Sequence, residues 1–435
     1  NDGEGFRSDG GVEELLVRRD RHWHDDLASL GFSEAILSSA ASIAFAAGST
    51  GVAVSIGASI VENHIGGATS ASIESSSRRT SATGPRHASS SASAPTKTTA
   101  PRRIALLHPL RADAGCGQLR LRLATGGVCG SDLHYYNHGG FGAVRLREPM
   151  ILGHEVSAYV EALGQGVTGF TPGQLVAVSP SRPCATCQYC LEGLPNHCLN
   201  MRFYGSAMPF PHIQGAFREV LIADASQCVD ATGLTPGEAA MAEPLAVTLH
   251  ATTRAGQMLG KRVLVTGCGP IGILSILAAR RAGAAEIVAT DLSDFTLGIA
   301  RSCGADLALN TRTTPDALAP YTANKGYFDV LYECSGAAPA LAAAISCLRP
   351  RGTILQLGLG GDMTLPMMAI TAKELDLRGS FRFHPEFATG VKLMQSGLIN
   401  VKPLITHTVP LADAETAFKL ASDRALAMKA QITFS

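Results

Sequence analysis

The apolar segment Arg262-Val-Leu-Val-Thr266 runs directly into the glycine-rich segment Gly267-Cys268-Gly269-Pro270-Ile271-Gly272. The apolar run predicts a buried strand, and the residues from Ile271 to Ala282 predict a helix. A strand, a glycine turn and a helix in this order can bind the pyrophosphate of a dinucleotide. The first glycine permits the turn, the second lets phosphate approach the backbone, and the third lets the helix pack closely on the strand. The sequence therefore predicts a cofactor site at Gly267, Gly269, Pro270, Ile271 and Gly272.

Asp291 ends the next predicted strand, Glu286–Thr290. It lies roughly 20 residues after the glycines, where a carboxylate accepts hydrogen bonds from the ribose hydroxyls of the adenosine. The same carboxylate would repel a 2′-phosphate, and Leu292 and Ser293 supply no positive charge to offset that repulsion. We therefore expect NAD rather than NADP, with Arg301 as the one cation that could swing towards the site.

Strands and helices continue to alternate beyond the glycine turn. A helix is predicted at Phe295–Cys303, where Gly304 stops it, and strands are predicted at Asp329–Glu333 and Thr353–Leu357 on either side of an Ala-rich helix. This alternation predicts a parallel, doubly wound sheet over residues 248–378.

The segment before the glycine turn has a different texture. Leu119, Leu121 and Leu123 alternate with arginines as on a half-buried strand. Short, turn-bounded segments with β character follow, at Glu155–Leu163, Leu175–Val178 and Glu219–Ala223. The fold class is therefore α/β, with a mainly β domain over residues 101–247 to which the chain returns at 379–435.

Charge and cysteine content narrow the function. The 36 basic residues balance the 36 acidic ones, which argues against nucleic acid or an anionic membrane surface as partner and favours a small molecule. Eleven cysteines, an odd number, do not suit a disulfide framework. The N-terminus has no signal-peptide pattern. We therefore expect a cytoplasmic protein.

Residues 1–100 differ in composition from the remainder of the chain. Residues 66–100 are dominated by Ser, Thr and Ala, which cannot bury much core and predict disorder. Residues 35–61 carry no charge and are long enough to cross a bilayer, but most of them are small, so a membrane span is the less favoured interpretation. We expect residues 1–100 to be a disordered or unrelated extension, and we assign them no function.

Four cysteines lie close together at Cys184, Cys187, Cys190 and Cys198. Two-residue gaps let a tight loop bring thiolates to the roughly 2.3 Å that zinc requires. The alternatives are strained disulfides or inert core cysteines, which this spacing outside a small secreted domain disfavours. A site closed by four thiolates is structural rather than catalytic.

A second constellation is Cys129-Gly-Ser131-Asp132-Leu-His134-Tyr135, followed by Gly153-His154-Glu155. A thiolate, an imidazole and a carboxylate could form an open, three-ligand zinc site. Each residue alone is uninformative, because a single buried Cys or His more often belongs to a core.

Taken in order, these motifs, together with Glu243-Pro-Leu, resemble the medium-chain zinc dehydrogenases of the polyol branch. The segment from Asn200 to Arg218 is similar to that of the L-idonate 5-dehydrogenases, and the resemblance runs from about Gly117 to the C-terminus. It implies a GroES-like catalytic domain and a Rossmann domain, two zinc ions per chain, and a homodimer or homotetramer. The expected reaction is NAD-linked oxidation of a sugar acid, L-idonate to 5-dehydro-D-gluconate. The alternatives are a sorbitol- or xylitol-type polyol dehydrogenase and a catalytically silent protein of the same fold.

The resemblance also assigns roles to individual residues. Cys129 and His154 would hold the catalytic zinc with either Glu155 or Glu243, and the other glutamate would act through water. Asp132 would accept the free N–H of His154. Ser131 and His134 would pass the proton to solvent. The substrate would meet four residues: Tyr135, Arg202, Arg382 and Phe383.

The beginning of the resembling region departs from the family pattern. Relatives open with a strand and hairpin, whereas here residues 102–113 lead abruptly into Gly115-Cys116-Gly117. If Ile104–Leu107 cannot replace the hairpin, an exposed sheet edge would weaken the domain.

Overall fold

The computed structural model describes residues 113–434 and the backbone of two earlier strands, Glu14–Arg18 and Arg103–Leu107. The predicted uncharged segment 35–61 and the Ser-rich segment 66–100 lie outside the described residues. Within the described part, no helix combines the length and the apolar character needed to cross a bilayer.

The strands follow in chain order: β1 (Glu14–Arg18), β2 (Arg103–Leu107), β3 (Gln118–Gly127), β4 (Gly140–Phe141), β5 (Val144–Arg145), β6 (Met150–Ile151), β7 (Glu155–Leu163), β8 (Leu175–Val178), β9 (Ser181–Arg182), β10 (Arg202–Phe203), β11 (Val220–Asp224), β12 (Cys228–Asp230), β13 (Arg262–Thr266), β14 (Glu286–Asp291), β15 (Leu307–Asn310), β16 (Phe328–Glu333), β17 (Leu348–Gln356), β18 (Asp376–Gly379), β19 (Ile405–Pro410) and β20 (Lys429–Thr433).

The α-helices are α1 (Gly130–His138), α2 (Gln188–Leu191), α3 (Pro236–Ala240), α4 (Ala242–Ala255), α5 (Pro270–Arg281), α6 (Asp294–Ser302), α7 (Ala338–Cys347), α8 (Met367–Ala372), α9 (Glu386–Gln395) and α10 (Ala414–Ser422). Short 3₁₀ turns lie at Pro195–His197, Ala225–Gln227, Ala319–Lys325, Lys402–Leu404 and Leu411–Asp413.

Six parallel strands form one sheet, in the order β15-β14-β13-β16-β17-β18, and the glycine turn follows its strand β13. Side chains alternate along each strand, so Val263 and Val265 enter one apolar cluster while Leu264 enters another on the opposite face. Both faces of the sheet are therefore buried, as a parallel sheet covered by helices requires. The structure confirms the predicted doubly wound sheet.

The mainly β domain is built around a second sheet, in the order β12-β8-β7-β3-β20-β19, with β11 also paired to β3. The strands β19 and β20 come from the C-terminal part of the chain, which returns after the parallel sheet. In β3, the side chains of Leu119, Leu121 and Leu123 are fully buried. Their alternation with arginines predicted this arrangement.

The first strand of the chain joins the β domain. Glu14–Arg18 pairs antiparallel with both Arg103–Leu107 and Met150–Ile151, in a three-stranded sheet. Residues 104–107 thus form a strand, as they must if they are to replace the missing hairpin. The strand that pairs with them, Glu14–Arg18, lies within residues 1–100, which we expected to be a disordered or unrelated extension.

Candidate active site

The four clustered cysteines have the geometry of a metal site. Their sulfur atoms all lie within 4.8 Å of one another, with Cys187 Sγ 3.6 Å from Cys190 Sγ and 3.9 Å from Cys198 Sγ. A tetrahedron of thiolates around zinc has edges of about 3.8 Å. All eleven cysteines of the chain are free. The loop therefore fits a structural zinc ion and not a pair of disulfides.

Local hydrogen bonds favour the thiolate form of one cysteine of this loop, Cys184. Donors from the backbone at Thr186 and from the side-chain amide of Asn200 lower the pKa of Cys184 to about 5. A thiolate is the form that zinc binds. The loop is also tied to the returning chain, because Asn196 Nδ2 donates to the carbonyl of Phe381 at 3.0 Å.

A second group of possible ligands lies where β3 meets β7. Cys129 follows the end of β3 and is the N-cap residue of α1, while His154 and Glu155 stand at the start of β7. The strands are antiparallel neighbours, and their register pairs Gly127 with Glu155. One ligand atom from each of Cys129, His154 and Glu155 lies within 4.8 Å of the others. The structure thus brings together three residues that the sequence singled out.

Two glycines make room for this group. A Cβ atom at Gly127 would lie 2.2 Å from Glu155 Oε2, so only glycine leaves space for that carboxylate. Gly153 has φ +94° and its missing Cβ would lie 2.1 Å from the ring of Phe217. Both positions therefore demand glycine for steric reasons.

Asp132 holds the two ligand-bearing turns in place. Its carboxylate is fully buried and accepts the backbone N–H of Cys129 at 3.0 Å and that of Gly153 at 3.1 Å. Burial raises the pKa of Asp132, and the positive form of His154 would lower it. Asp132 Oδ1 lies 3.6 Å from His154 Nδ1, a distance longer than a hydrogen bond. Ser131 Oγ lies 3.5 Å from the other ring nitrogen, Nε2.

Glu243, near the start of α4, lies beside the three-ligand group but not within it. Its carboxyl is buried, and burial raises its pKa to about 8, with contributions from the nearby charges of Glu155 and Cys129. Burial and the same neighbouring Glu155 raise the pKa of Cys129 to about 12. Three acidic groups therefore crowd a low-dielectric site, and a dication would favour their charged forms. The residues present fit a zinc ion.

The glycine turn has the geometry that its sequence predicted. Gly267 has φ +82°, and a Cβ atom there would lie 2.7 Å from the backbone of Ser335. A Cβ at Gly272 would lie 1.9 Å from the carbonyl oxygen of Gly267. Pro270 and Ile271 open helix α5, whose N-cap residue is Gly269. The N-terminus of that helix faces the turn, where it favours negative charge.

Asp291 stands at the end of β14 beside this turn. Its Oδ2 accepts the backbone N–H of Cys268 at 2.6 Å, and Oδ1 accepts those of Leu292 and Ser293. Arg301, the cation that could have approached, donates from Nη2 to the carbonyl of Ala308 at 3.0 Å.

The two halves of the chain match known protein families. Residues 115–233 match the model of the alcohol dehydrogenase GroES-like domain, and residues 270–396 match that of the zinc-binding dehydrogenases. L-idonate 5-dehydrogenase (NAD(P)(+)) of Escherichia coli K12 is 43% identical over 316 residues, which cover 72% of this chain and 91% of that protein. The chain belongs to the zinc-dependent medium-chain dehydrogenase family.

Further comparisons agree with this assignment. Sorbitol dehydrogenase of Gallus gallus is 36% identical over 312 residues, covering 71% of this dehydrogenase and 87% of that protein. The crystal structure of L-idonate 5-dehydrogenase from Escherichia coli superposes with a TM-score of 0.72 at 40% identity, over 76% of this chain and 94% of the other. The predicted family, fold class and enzyme class are confirmed.

The predicted substrate residues of the dehydrogenase separate into different environments. Tyr135 is buried and its hydroxyl accepts the backbone N–H of Ala207 at 3.1 Å. Arg202 is exposed on β10, because its side chain lies on the opposite face of the strand from that of the buried Phe203. Phe383 is fully buried and stacks on Phe387 in the core. The structure therefore does not bring Arg202 or Phe383 together with the three-ligand group.

Arg382 occupies a different place from its neighbour Phe383. Its guanidinium lies over the rings of Phe203, at 4.1 Å, and Phe381, at 4.9 Å. The Phe203 ring in turn lies 5.8 Å from that of His154. Burial lowers the pKa of Arg382 to about 10, which leaves it positively charged at neutral pH, and the nearby Glu243 and Tyr135 oppose that shift. Phe203, which links Arg382 to the ligand group, was not predicted from the sequence.

Lys429 is the second residue that the sequence analysis missed. It lies on β20, only 3% exposed, and its Nζ donates to both oxygens of Glu155, at 2.8 and 2.7 Å. It also donates to the carbonyl of Val128. The sequence did contain a signal for this pair, namely a lysine in the mostly apolar segment from Ala427 to Ile432. A charged side chain that is buried in such a segment requires a partner.

Proposed function

We propose that this dehydrogenase oxidises a secondary hydroxyl of a sugar acid with NAD, converting L-idonate to 5-dehydro-D-gluconate. The observation that carries the proposal is the convergence of Cys129, His154 and Glu155 within 4.8 Å, near the half-buried Arg382. Two relatives act, by their names, on L-idonate and sorbitol, which are both polyhydroxylated.

Cys129, His154 and Glu155 would hold a catalytic zinc ion, and the four cysteines of the loop 184–198 a structural one. Glu243 would contact the catalytic ion through water, since it lies outside the group whose ligand atoms converge. When bound, zinc lowers the pKa of a coordinated hydroxyl, as it lowers that of water to about 7. Asp132 fixes the turns that carry Cys129 and His154, so the ligands are held before the metal arrives.

Ser131 and His134 would carry the proton away from the substrate hydroxyl. They lie three residues apart on α1, so their side chains share one helix face. Burial, together with the nearby His138 and Arg424, lowers the pKa of His134. A neutral imidazole at physiological pH can accept a proton and release it to solvent.

NAD would lie along the glycine turn, with its adenosine ribose at Asp291. The carboxylate of Asp291 retains capacity for a further hydrogen bond at Oδ2, which accepts one backbone N–H. Arg301 is engaged elsewhere, which supports NAD over NADP.

Arg382 would bind the carboxylate of the sugar acid. A guanidinium can donate two parallel hydrogen bonds to a carboxylate, and aromatic stacking restricts its position beforehand. Tyr135 would then shape the pocket through the Ser206–Ala207 backbone that it holds.

A neutral polyol is the second candidate substrate. The observation in its favour is that the Arg382 guanidinium contacts the rings of Phe203 and Phe381. In this alternative, Arg382 lines the substrate pocket without binding an anion. The similarity to sorbitol dehydrogenases agrees with this alternative.

A substrate panel tests the proposal. L-idonate, sorbitol, xylitol and threonine are offered with NAD or NADP, and the nicotinamide absorbance is followed alongside zinc analysis. We expect activity on L-idonate with NAD and two zinc ions per chain. The Arg382→Gln variant should raise KM for L-idonate at least tenfold, whereas an effect confined to Arg202→Gln would reassign the carboxylate site. Activity on sorbitol alone would remove the sugar acid from the proposal.

A further inference from the structure

Gly269, the second glycine of the turn, differs from the other two in its surroundings. A Cβ atom at Gly267 or at Gly272 would collide with backbone, whereas at Gly269 only the guanidinium of Arg424 would lie within 4 Å. That distance is 3.2 Å from the Cβ position to Arg424 Nη1. The open side of the glycine turn therefore faces one cation among the described residues.

Arg424 reaches the turn from the catalytic domain. It follows helix α10, and the turn that carries it is held by Asp423, whose side chain accepts the N–H of Ala425 at 2.9 Å. The carbonyl of Asp423 also accepts the N–H groups of Leu426 and Ala427. The backbone that presents Arg424 is thus fixed by local hydrogen bonds.

The guanidinium of Arg424 is available for a ligand. The side chain is exposed, and it makes no hydrogen bond or ion pair with any residue in the described part of the chain. Its positive charge acts on the ring of His134, whose pKa it helps to lower. Arg424 therefore lies at the glycine turn with its charge free to act on a ligand there.

We propose that Arg424 binds the pyrophosphate of the dinucleotide at the glycine turn, its exposed side chain moving away from Gly269 to admit the phosphates. The helix N-terminus of α5 and a guanidinium would then enclose the two phosphates, which carry the charge that arginine recognises best. Because Arg424 belongs to the catalytic domain and Gly269 to the parallel sheet, the dinucleotide joins the two domains through this contact. The inference rests on the proposed dinucleotide site and adds a residue to it.

Binding measurements on the zinc-loaded enzyme test the inference without relying on turnover. NADH, ADP-ribose and adenosine are titrated into the wild type, Arg424→Gln and Arg424→Lys. The matched control is Lys419→Gln, which removes one positive charge from an exposed site on α10 in the same domain. A charge-assisted hydrogen bond to phosphate predicts that Arg424→Gln weakens NADH and ADP-ribose about tenfold. Adenosine, which has no phosphate, should bind unchanged, and Arg424→Lys should recover part of the loss.

The outcomes separate the inference from the proposed function. Equal affinity of Arg424→Gln and Lys419→Gln for NADH overturns the role of Arg424 and leaves the dinucleotide site intact. An equal loss for adenosine also overturns it, because the effect would not depend on phosphate. If the wild type binds neither NADH nor ADP-ribose, both the inference and the proposed cofactor fail together.

Discussion

At the scale of single residues, the buried ion pair formed by Lys429 and Glu155 contributes to both stability and the site. Both side chains are almost completely buried, at 3% and 1% exposure, and their charges offset each other in a low-dielectric site. Removing one partner of such a pair leaves an uncompensated buried charge, which costs about 3 to 5 kcal/mol. Lys429 therefore holds the Glu155 carboxylate in its position within the site.

We expect Lys429→Met to lower the free energy of unfolding by about 3 kcal/mol in urea denaturation of the zinc-depleted protein. Added zinc should recover part of this loss, because a dication can replace the missing positive charge beside Glu155. Lys419→Met is the control, since its exposed pair with Glu415 contributes about 0.5 kcal/mol or less. Equal stabilities of the two variants would show that the buried pair does not stabilise the fold.

At the scale of secondary-structure elements, the register of β3 against β7 sets the catalytic ligand group. It places Gly127 directly opposite Glu155, and the absent side chain is the space that the carboxylate occupies. A shift of one residue would turn every side chain of a strand to the other face.

Gly127→Ala should displace Glu155 and lower kcat/KM at least 100-fold, with loss of the catalytic zinc and retention of the structural one. The new Cβ would lie 2.2 Å from Glu155 Oε2. Gly130→Ala is the matched control, because no atom lies within 4 Å of a Cβ built there. Zinc analysis and steady-state kinetics check both variants. A Gly127→Ala enzyme with two zinc ions and full activity would contradict this account of the site.

In the parallel sheet, Asp329 ties three strands together at one end. Its Oδ2 accepts the backbone N–H of Arg262 at 2.8 Å, and its Oδ1 accepts Nε of Arg349 at 2.6 Å. Burial alone would raise the pKa of Asp329, but these donors lower it below its ordinary value of 3.8. A carboxyl with a lowered pKa contributes stability that is present above pH 3.8 and lost as the pH falls further.

Asp329→Asn should therefore lower the free energy of unfolding by about 1 to 2 kcal/mol at neutral pH. The difference in the free energy of unfolding between the variant and the wild type should stay constant from pH 8 to pH 5. It should become smaller below the ordinary pKa of the carboxyl. Urea midpoints across this range measure it, with Asp376→Asn as the exposed control on the same sheet. If the difference in the free energy of unfolding increased as the pH fell, the prediction would be wrong.

At the scale of the whole molecule, local patterns predicted the elements well. The strands Glu155–Leu163, Leu175–Val178 and Arg262–Thr266 have the predicted bounds, because each is an apolar run between turn residues. The glycine turn and the four-cysteine loop were also predictable, because the residues that form each of them lie in one short segment of the sequence.

Contacts between distant parts of the chain were not predictable in this way. Lys429 and Glu155 lie 274 positions apart, and nothing in a local pattern pairs them. Arg382 and Phe383 are adjacent, yet one faces Phe203 and the other enters the core, which the φ of +55° at Arg382 helps to bring about. The strands Glu14–Arg18 and Arg103–Leu107 are likewise far apart in the sequence, and the composition of residues 1–100 gave no sign that they pair.

The assignment on which the rest depends is a metal held by Cys129, His154 and Glu155, where β3 meets β7, beside the dinucleotide site. Anomalous scattering from crystals at the zinc absorption edge tests it most directly, because each zinc ion gives its own peak. We predict two peaks per chain, one among the four sulfur atoms of the loop 184–198 and one among Cys129, His154 and Glu155. A single peak, at the four sulfur atoms only, would contradict the account.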